Sequence, residues 1–414
     1  MNYRLSFSTS LLLLCLFISF SAQSQLRKIY LNPKSVARES QTKFIDSIRF
    51  IPLEIKGGIE KSNSHNITIT DKYILLTDYY TKTLFIFSKD GKLVKSLNYG
   101  KLGDSFYPNY KEGTKEIVFF GSNKNYSLTP KDLVKIKLDW SNPRNKKYFK
   151  KYFLDLNDSS LTIKKDIPNE KDIVRLQPLS KDYYVQGEIS VSSLYKDSLD
   201  YEMKLYKGNK LIKNFFPYNR INEPRYLYAR EMIAISKSDT PNIFNITRPF
   251  CDTIYKLFRD SLFATYKVVF PLENSLPISF YTTAFKNKTE QENFHRNNGW
   301  LMQQLYILNE SPRFIYFQVS YLSNYDSYLY DKQTDLTYKT KNIKPDSSQY
   351  NMQLFDTFGT TKAEEKFYKS QKAGDLLNFF SQNKNIAVPK ELEAFLESKP
   401  PATMPVIVEF KLRN

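Results

Sequence analysis

The chain has 414 residues and a formal net charge of +18, and a chain of this length can bury a large hydrophobic core. Aromatic residues make up 15% of the sequence, with 31 Tyr and 31 Phe against only 12 Gly, which favours β-strands over a nucleotide-binding α/β fold. Only two histidines and two cysteines are present, which argues against zinc-dependent hydrolysis, a Ser-His-Asp triad and a disulfide framework.

The first 24 residues have the pattern of a signal peptide. Arg4 precedes an apolar run, Leu11–Phe20, and the small residues of Ala22-Gln23-Ser24 fit a cleavage site. The run is too short to span a membrane; a buried first strand or helix is the alternative interpretation. A lipid anchor on Cys15 is disfavoured because Leu14 precedes it rather than a small residue. We therefore expect an exported chain, periplasmic or on the outer surface, with no transmembrane segment in its mature part, residues 25–414.

The clearest strand unit runs from Ile67 to Leu97, after a predicted strand at Ile48–Leu53. Its apolar runs, Ile74–Leu76 and Leu84–Phe87, are continuous rather than alternating. Both faces of this sheet should therefore be covered by other parts of the protein. The dipeptide Asp90-Gly91 then predicts a tight hairpin turn into a third strand.

Weaker copies of this pattern of strand, turn and polar strand recur at residues 202–215, 242–270 and 313–340. Their spacing is irregular, so the repeat is one of pattern rather than of letters. A further strand is predicted at Asp132–Trp140, where apolar and polar residues alternate. Between the copies, three segments predict helices inserted at the rim of the sheets: Lys288–Asn309, Lys362–Asn383 and Glu391–Glu397.

Repeated antiparallel units that are covered on both faces predict an all-β fold, a six-bladed β-propeller with a few helical insertions. The terminal strand Pro405–Leu412 is expected to pair with an N-terminal strand such as Ile48–Leu53. That pairing would hide both sheet edges and close a single domain over residues 25–414. A large β-sandwich or a two-domain β protein is the alternative architecture.

The chain also resembles a known family. The exported six-bladed β-propeller proteins that are common in glycan-degrading Gram-negative bacteria are similar to it in four segments: Phe44–Glu54, Lys72–Leu97, Arg248–Phe270 and Met404–Asn414. The resemblance implies a propeller behind a signal peptide, and it brings no assigned catalytic residue, cofactor or substrate. The loop Asn98–Pro108 departs from the family, because it retains only Gly100 and Gly103 of the usual glycine-rich stretch.

Arginines are the predicted ligand-binding residues. Arg225, Arg230 and Arg248 could each fork onto a carboxylate or sulfate group. Arg225 and Arg230 fall between two repeats, where propellers present loops on one face. Structural pairing with Glu223 and Glu231 is the alternative.

A second basic segment, Lys131–Lys151, interleaves lysines and arginine with Trp140, Tyr148 and Phe149. It is either a site for an anionic polymer, with charge attracting and aromatic rings stacking, or a solvated blade edge whose lysines deter strand addition.

The sequence predicts no catalytic residue, no metal site and no cofactor. Glu292 and His295 are three residues apart, but a surface helix pair is the simpler interpretation, and His65 has no ligand-like neighbours. No phosphate-binding glycine loop or nucleophile elbow is present. Turn formation rather than calcium binding is the expected role of three aspartates, Asp78, Asp90 and Asp331.

Two functional hypotheses follow. The first is an exported binding or scaffold protein of the cell envelope, with an anionic glycan or an envelope protein bound at one mouth of the propeller channel. The basic charge favours an acidic partner, whereas export argues against nucleic acid. The second is a lyase or hydrolase that acts on an acidic polysaccharide, with tyrosine or carboxylate groups at the same mouth.

Overall fold

The computed structural model describes residues 26–35, 37–56, 65–103, 105–123, 128–129, 132–133, 135–136, 143–168, 176–180, 182–187, 197–208, 210–219, 232–282, 285, 287–355, 360–363 and 366–413. The predicted signal peptide, residues 1–24, lies outside this part. The strands form six large sheets, arranged as the blades of a propeller. The predicted all-β, six-bladed fold is therefore confirmed.

The strands are numbered along the chain. The N-terminal segment contributes β1 (Arg27–Tyr30), β2 (Glu39–Ser40) and β3 (Ile45–Pro52). Blade 1 contains β4 (His65–Ile69), β5 (Tyr73–Asp78), β6 (Thr83–Ser88) and β7 (Leu93–Asn98). Blade 2 contains β8 (Pro108–Lys111), β9 (Glu116–Ser122), β10 (Phe149–Asp155) and β11 (Lys164–Asp166). Blade 3 contains β12 (Gln177–Pro178), β13 (Tyr183–Gln186), β14 (Leu199–Lys207) and β15 (Lys210–Asn219).

The second half of the ring continues in the same way. Blade 4 contains β16 (Ala234–Lys237), β17 (Ile243–Thr247), β18 (Thr253–Phe258) and β19 (Ser261–Val269). Blade 5 contains β20 (Met302–Glu310), β21 (Phe314–Tyr321), β22 (Tyr325–Asp331) and β23 (Leu336–Lys339), and the short β24 (Ile343–Lys344) follows it. Blade 6 contains β25 (Thr360–Ala363), β26 (Lys366–Lys372) and β27 (Pro405–Leu412), together with β3.

Four helices between the strands have described bounds. α1 (Ile278–Thr282) and α2 (Lys288–Asn297) occupy the connection from blade 4 to blade 5. α3 (Ala373–Gln382) and α4 (Lys390–Glu397) are inserted in blade 6 between β26 and β27.

Blade 1 shows why its strands need apolar residues on both faces. Ile74 and Leu76 pack in a core shared with blade 6, whereas Leu75 and Ile86 pack in a core shared with blade 2. All four are at most 2% exposed. The sheet is therefore buried between two neighbouring sheets, as the continuous apolar runs predict.

The ring closes through the terminal strands. β27 pairs antiparallel with β26 on one side and with β3 on the other, so residues near both ends of the chain share blade 6. Upstream, β1 adds a fifth strand to blade 4 by pairing parallel with β19, and β2 pairs parallel with β24. The N-terminal segment thus runs along the outside of blades 4, 5 and 6.

Three local predictions need correction. The helix predicted at Lys288–Asn309 ends at Asn297, and residues 302–310 form β20, because they find a strand partner in β21. The helix predicted at Lys362–Asn383 begins only at Ala373, since the preceding residues are strands of blade 6. Within the predicted strand Asp132–Trp140, residues 132–133 and 135–136 are helical. The helix predicted at Glu391–Glu397 is confirmed by α4.

Candidate functional site

The candidate site is a cavity at one mouth of the central channel. The first strands of neighbouring blades contact each other, β16 with β20 and β25 with β4, as strands around a channel do. The turns after β4, β8, β16 and β20, together with β3, β26 and β27 of blade 6, enclose a cavity of about 1180 Å³. A smaller cavity of about 370 Å³ adjoins it beside blade 3. Ligand sites typically measure roughly 300–1,000 Å³, so the larger cavity can hold a small molecule or a short oligomer.

A buried ionic cluster forms the wall between blades 4 and 5. Glu310 ends β20 and is only 1% exposed. The ammonium groups of Lys256 and Lys332 donate to Glu310 Oε1 at 3.0 and 2.9 Å. Lys332 also donates to Asp239 Oδ2 at 2.8 Å. Two carboxylates and two ammonium groups therefore balance one another across the blade interface.

The carboxylates of this cluster are held in their ionised form. Burial alone would raise the pKa of Glu310, but the charges of the two lysines and a hydrogen bond from Asn245 keep that pKa below its ordinary value. Ser238 Oγ also donates to Glu310 Oε2 at 2.8 Å. Burial acts in the same direction on Asp239, and Lys332 overcomes it to lower the pKa to about 2.

The opposite part of the cavity is bordered by ion pairs between blades. Lys115 of blade 2 is 2.7 Å from Asp71 of blade 1. Lys237 of blade 4 pairs with Glu112 of blade 2, which brings those two blades together beside the short inner strand of blade 3. Burial, with the nearby charges of Asp71 and Glu112, raises the pKa of Tyr110 to about 12, so its hydroxyl stays protonated at neutral pH.

We use the name blade 6 wall for Arg49, Lys366, Tyr368, Glu409 and Lys411, which line the cavity from β3, β26 and β27. Lys366 lies directly across from Lys411, and Glu409 lies directly across from Tyr368 and Arg49. Lys366 Nζ is 2.8 Å from Glu409 Oε1. Within the described part of the chain, neither Arg49 nor Lys411 forms a hydrogen bond or an ion pair with its side chain.

Two polar atoms beside the ionic cluster have no hydrogen-bond partner among the described residues. They are Ser236 Oγ on β16 and Asn309 Oδ1 on β20, and both residues line the cavity. Asn309 is only 3% exposed. An unsatisfied buried polar group costs about 1–3 kcal/mol, and each of these two atoms has less than 1 Å² of accessible surface, so both are a local cost to stability.

Comparison with known proteins agrees with this architecture. Residues 22–100 match the DUF5128 family, which is described as a 6-bladed beta-propeller. The chain has the fold of a six-bladed β-propeller. The propeller is similar, over 94% of its length, to the whole of a Bacteroides fragilis protein described as exported, with a TM-score of 0.54 and 13% identity. This likeness establishes a shared fold.

Two further solved structures are more distant from the propeller. A member of the DUF4221 family from Bacteroides vulgatus covers 89% of it with 98% of its own chain, at 10% identity and a TM-score of 0.45. A streptogramin B lyase covers 91% of it with all of its own chain, at 9% identity and a TM-score of 0.33. None of the curated proteins matches the propeller. In the described part, no helix has the length and apolar character to cross a bilayer.

Arg248, one of the three predicted ligand-binding arginines, is a brace between blades 3 and 4 of the propeller. Its guanidinium donates to both carboxylate oxygens of Glu202, which is fully buried. The same group lies 4.0 Å from the centre of the Phe216 ring. Arg248 follows the end of β17 that points away from the cavity. Arg225 and Arg230 lie outside the described residues, so their convergence with Arg248 stays a prediction.

The basic segment Lys131–Lys151 and His295 have local contacts in the structure. Within Lys131–Lys151, Lys151 forms an ion pair of 2.9 Å with Asp166, and Phe149 is buried. His295 is half-buried, and burial lowers its pKa. The described residues contain no group of three or more His, Cys, Asp or Glu side chains that could hold a metal ion.

Two of the three aspartates predicted to form turns bond to backbone within their own turns. Asp78 Oδ1 accepts the N–H groups of Tyr80 and Thr81 at 2.8 and 3.1 Å. Asp331 Oδ1 accepts the N–H of Gln333 at 2.9 Å.

The cavity residues were not singled out from the sequence. Asp71, Glu112 and Asp239 each come just after the first strand of a blade, and Glu310 ends one. That position at the channel mouth is a usable signal once the blades are assigned. The blade 6 wall has no such signal, because its strands are far apart in sequence.

Proposed function

We propose that the protein is an exported binding propeller of the cell envelope that holds a glycan in the cavity at the channel mouth. The observation that carries this proposal is a cavity of about 1180 Å³ whose lining is rich in polar and charged side chains from five blades. Sugar hydroxyls both donate and accept hydrogen bonds, so one ligand can bond to the hydroxyl, carboxylate and ammonium groups of this lining together. Thr68, Thr70 and Tyr110 add further polar groups to the lining.

Two observations support export. The first 24 residues have a charged start, an apolar run and a small-residue exit. The similar Bacteroides fragilis propeller is described as exported.

The electrostatics of the cavity favour binding over catalysis. Asp71, Asp239, Glu310 and Glu409 all have a pKa below the ordinary value, because lysines neutralise the effect of burial. A glycosidase requires one carboxyl group whose pKa is raised so that it can donate a proton. The pKa of about 12 makes Tyr110 a poor general base at neutral pH. These four carboxyl groups are therefore poor proton donors, which supports binding without turnover over lyase or hydrolase activity.

The test is binding of neutral, uronic-acid and sulfated oligosaccharides to purified mature protein, measured by calorimetry. Replacing Tyr110 with phenylalanine should raise Kd about tenfold, since one hydrogen bond contributes about 1.4 kcal/mol. Tyr80→Phe is the matched control, because it also removes one tyrosine hydroxyl, and Tyr80 is 91% exposed and does not line the cavity. That variant should bind like wild type.

Three results would contradict the proposal. Equal binding by wild type and Tyr110→Phe would place the ligand elsewhere. New reducing or unsaturated ends in the mixtures would show turnover and favour the enzyme hypothesis. Failure of every oligosaccharide to bind would overturn the glycan assignment and make an envelope protein the better candidate partner.

A further inference from the structure

We propose that the blade 6 wall is an anion subsite, which takes the carboxylate or sulfate group of an acidic glycan. This inference rests on the proposed function, because it concerns the same cavity and names the class of glycan. The shared chemistry is a negatively charged oxygen group on a sugar.

The wall concentrates positive charge on one face of the sheet. Residues that are directly opposite on neighbouring strands, or two apart on one strand, project from the same face. Lys366 and Lys411 are directly opposite, and Arg49 is opposite Glu409, two residues before Lys411. All three cationic side chains line the cavity.

The pairing of Lys366 with Lys411 is unfavourable on its own, because like charges directly opposite on adjacent strands destabilise a sheet. The Lys366 ammonium is bonded to Glu409 at 2.8 Å. Lys411 and Arg49 are both exposed and form no ion pair within the described part of the chain, and the charge of Arg49 helps to lower the pKa of Glu409. An anion bound beside Lys411 would offset its repulsion with Lys366 and accept charge-assisted hydrogen bonds from Lys411 and Arg49.

The guanidinium of Arg49 suits such an anion, since its planar fork matches the geometry of a carboxylate or a sulfate. Blade 1 adds a further cation next to the wall. Lys89 Nζ lies 5.7 Å from the centre of the Tyr368 ring, and its charge reaches the Asp71 carboxylate.

The rest of the cavity differs from this wall. Among the described lining residues, blades 1 and 6 supply four cations, Arg49, Lys89, Lys366 and Lys411, against the carboxylates of Asp46, Asp71 and Glu409, and Asp71 is already paired with Lys115 of blade 2. On the other side, Asp239 and Glu310 are neutralised by Lys256 and Lys332, and Glu112 is paired with Lys237.

The two sides of the cavity together favour a ligand that has hydroxyl groups at one end and an acidic group at the other. Its hydroxyls would meet polar groups such as Tyr110, and its acidic group would meet Arg49 and Lys411 at the blade 6 wall. The formal net charge of +18 attracts such a ligand from a distance. The blade 6 wall sets the position at which the acidic group of the ligand binds.

The experiment uses oligosaccharides of one chain length in neutral, uronic-acid and sulfated form, titrated by calorimetry at a fixed ionic strength. The test variant is Arg49→Gln with Lys411→Gln. The control variant is Lys28→Gln with Lys210→Gln, which removes the same net charge from exposed positions on blades 4 and 3 that do not line the cavity. The acidic ligand should bind the test variant about tenfold or more weakly than wild type, since hydrogen bonds to charged groups are the stronger kind.

The inference predicts that the control variant keeps the wild-type affinity within about twofold and that the neutral ligand binds the test variant as it binds wild type. Preference for the uronic-acid or the sulfated form identifies which acidic group the wall takes. Equal affinity for neutral and acidic ligands, or equal losses in the test and control variants, would overturn the subsite and leave the proposed function intact. Absence of binding by all three ligands would instead overturn both.

Discussion

Replacing Glu310 with glutamine is predicted to destabilise the propeller by about 3 kcal/mol. Glu310 is 1% exposed and accepts from two buried lysines at 2.9 and 3.0 Å. Glutamine keeps the shape and one acceptor oxygen but removes the charge. Two ammonium groups would then share a single carboxylate, that of Asp239.

The magnitude follows from what remains after the substitution. Removing one partner from a buried ion pair costs about 3–5 kcal/mol, because the other charge stays buried without compensation. Asp239 lies 2.8 Å from Lys332 and 3.5 Å from Lys256, so each lysine retains a nearby carboxylate. The expected loss is therefore at the lower end of that range.

Urea unfolding at pH 7, followed by circular dichroism, measures this loss. The control is Glu273→Gln, which breaks the 3.0 Å pair with Lys34, whose side chains are 48% and 77% exposed. An exposed pair of this kind contributes less than about 1 kcal/mol. If the two variants lose the same stability, the cluster between blades 4 and 5 does not act as a buried ion network, and the reasoning is wrong.

Two further predictions concern the stability of the protein at low pH and the substitution of a glycine in a turn. The pKa of Asp239 is about 2 in the folded protein and about 4 in an unfolded chain. Ionised Asp239 therefore contributes about 2 kcal/mol to the free energy of unfolding. This contribution is complete above about pH 4 and is lost as the pH falls towards 2. Wild type and Asp239→Asn should converge in stability over that interval, and a constant difference would contradict this. Gly91→Ala should cost about 2 kcal/mol or more, because Gly91 has φ +88° and an added Cβ would lie 2.1 Å from the Pro52 carbonyl oxygen. Gly208→Ala, with φ +57° and open space around it, should cost only about 1 kcal/mol; equal unfolding midpoints for the two variants would refute the steric argument.

Much of the fold could be predicted from local sequence. The runs Ile74–Leu76 and Leu84–Phe87 are apolar at every position, which requires cover on both faces, and the structure supplies that cover from blades 2 and 6. Residues 301–309 were harder, because Leu301, Leu305 and Leu308 fit a helical stripe. Their state is decided by pairing with Phe314–Tyr321, a partner that periodicity cannot reveal.

The candidate site was less predictable than the fold. Arg49 and Lys411 are separated by most of the chain and become neighbours only when β3 and β27 close the ring. Glu310 directly follows the predicted helix Lys288–Asn309, and its burial between two lysines depends on how blades 4 and 5 dock. The sequence also could not show the partners of the three predicted ligand-binding arginines. In the structure Arg248 donates to Glu202, which is distant in sequence.

The closing strand also has a consequence for the order in which the protein can be completed. β3 lies at the outer edge of blade 6 and has β27 as its strand partner. Phe50 and Ile51 of β3 are only 2% and 3% exposed in the folded protein. Because synthesis proceeds from the N-terminus, they have no partner strand until β27 has been made. Contacts between such distant segments form slowly. Until then, the unpaired edge of β3 must be kept from pairing with strands of other chains.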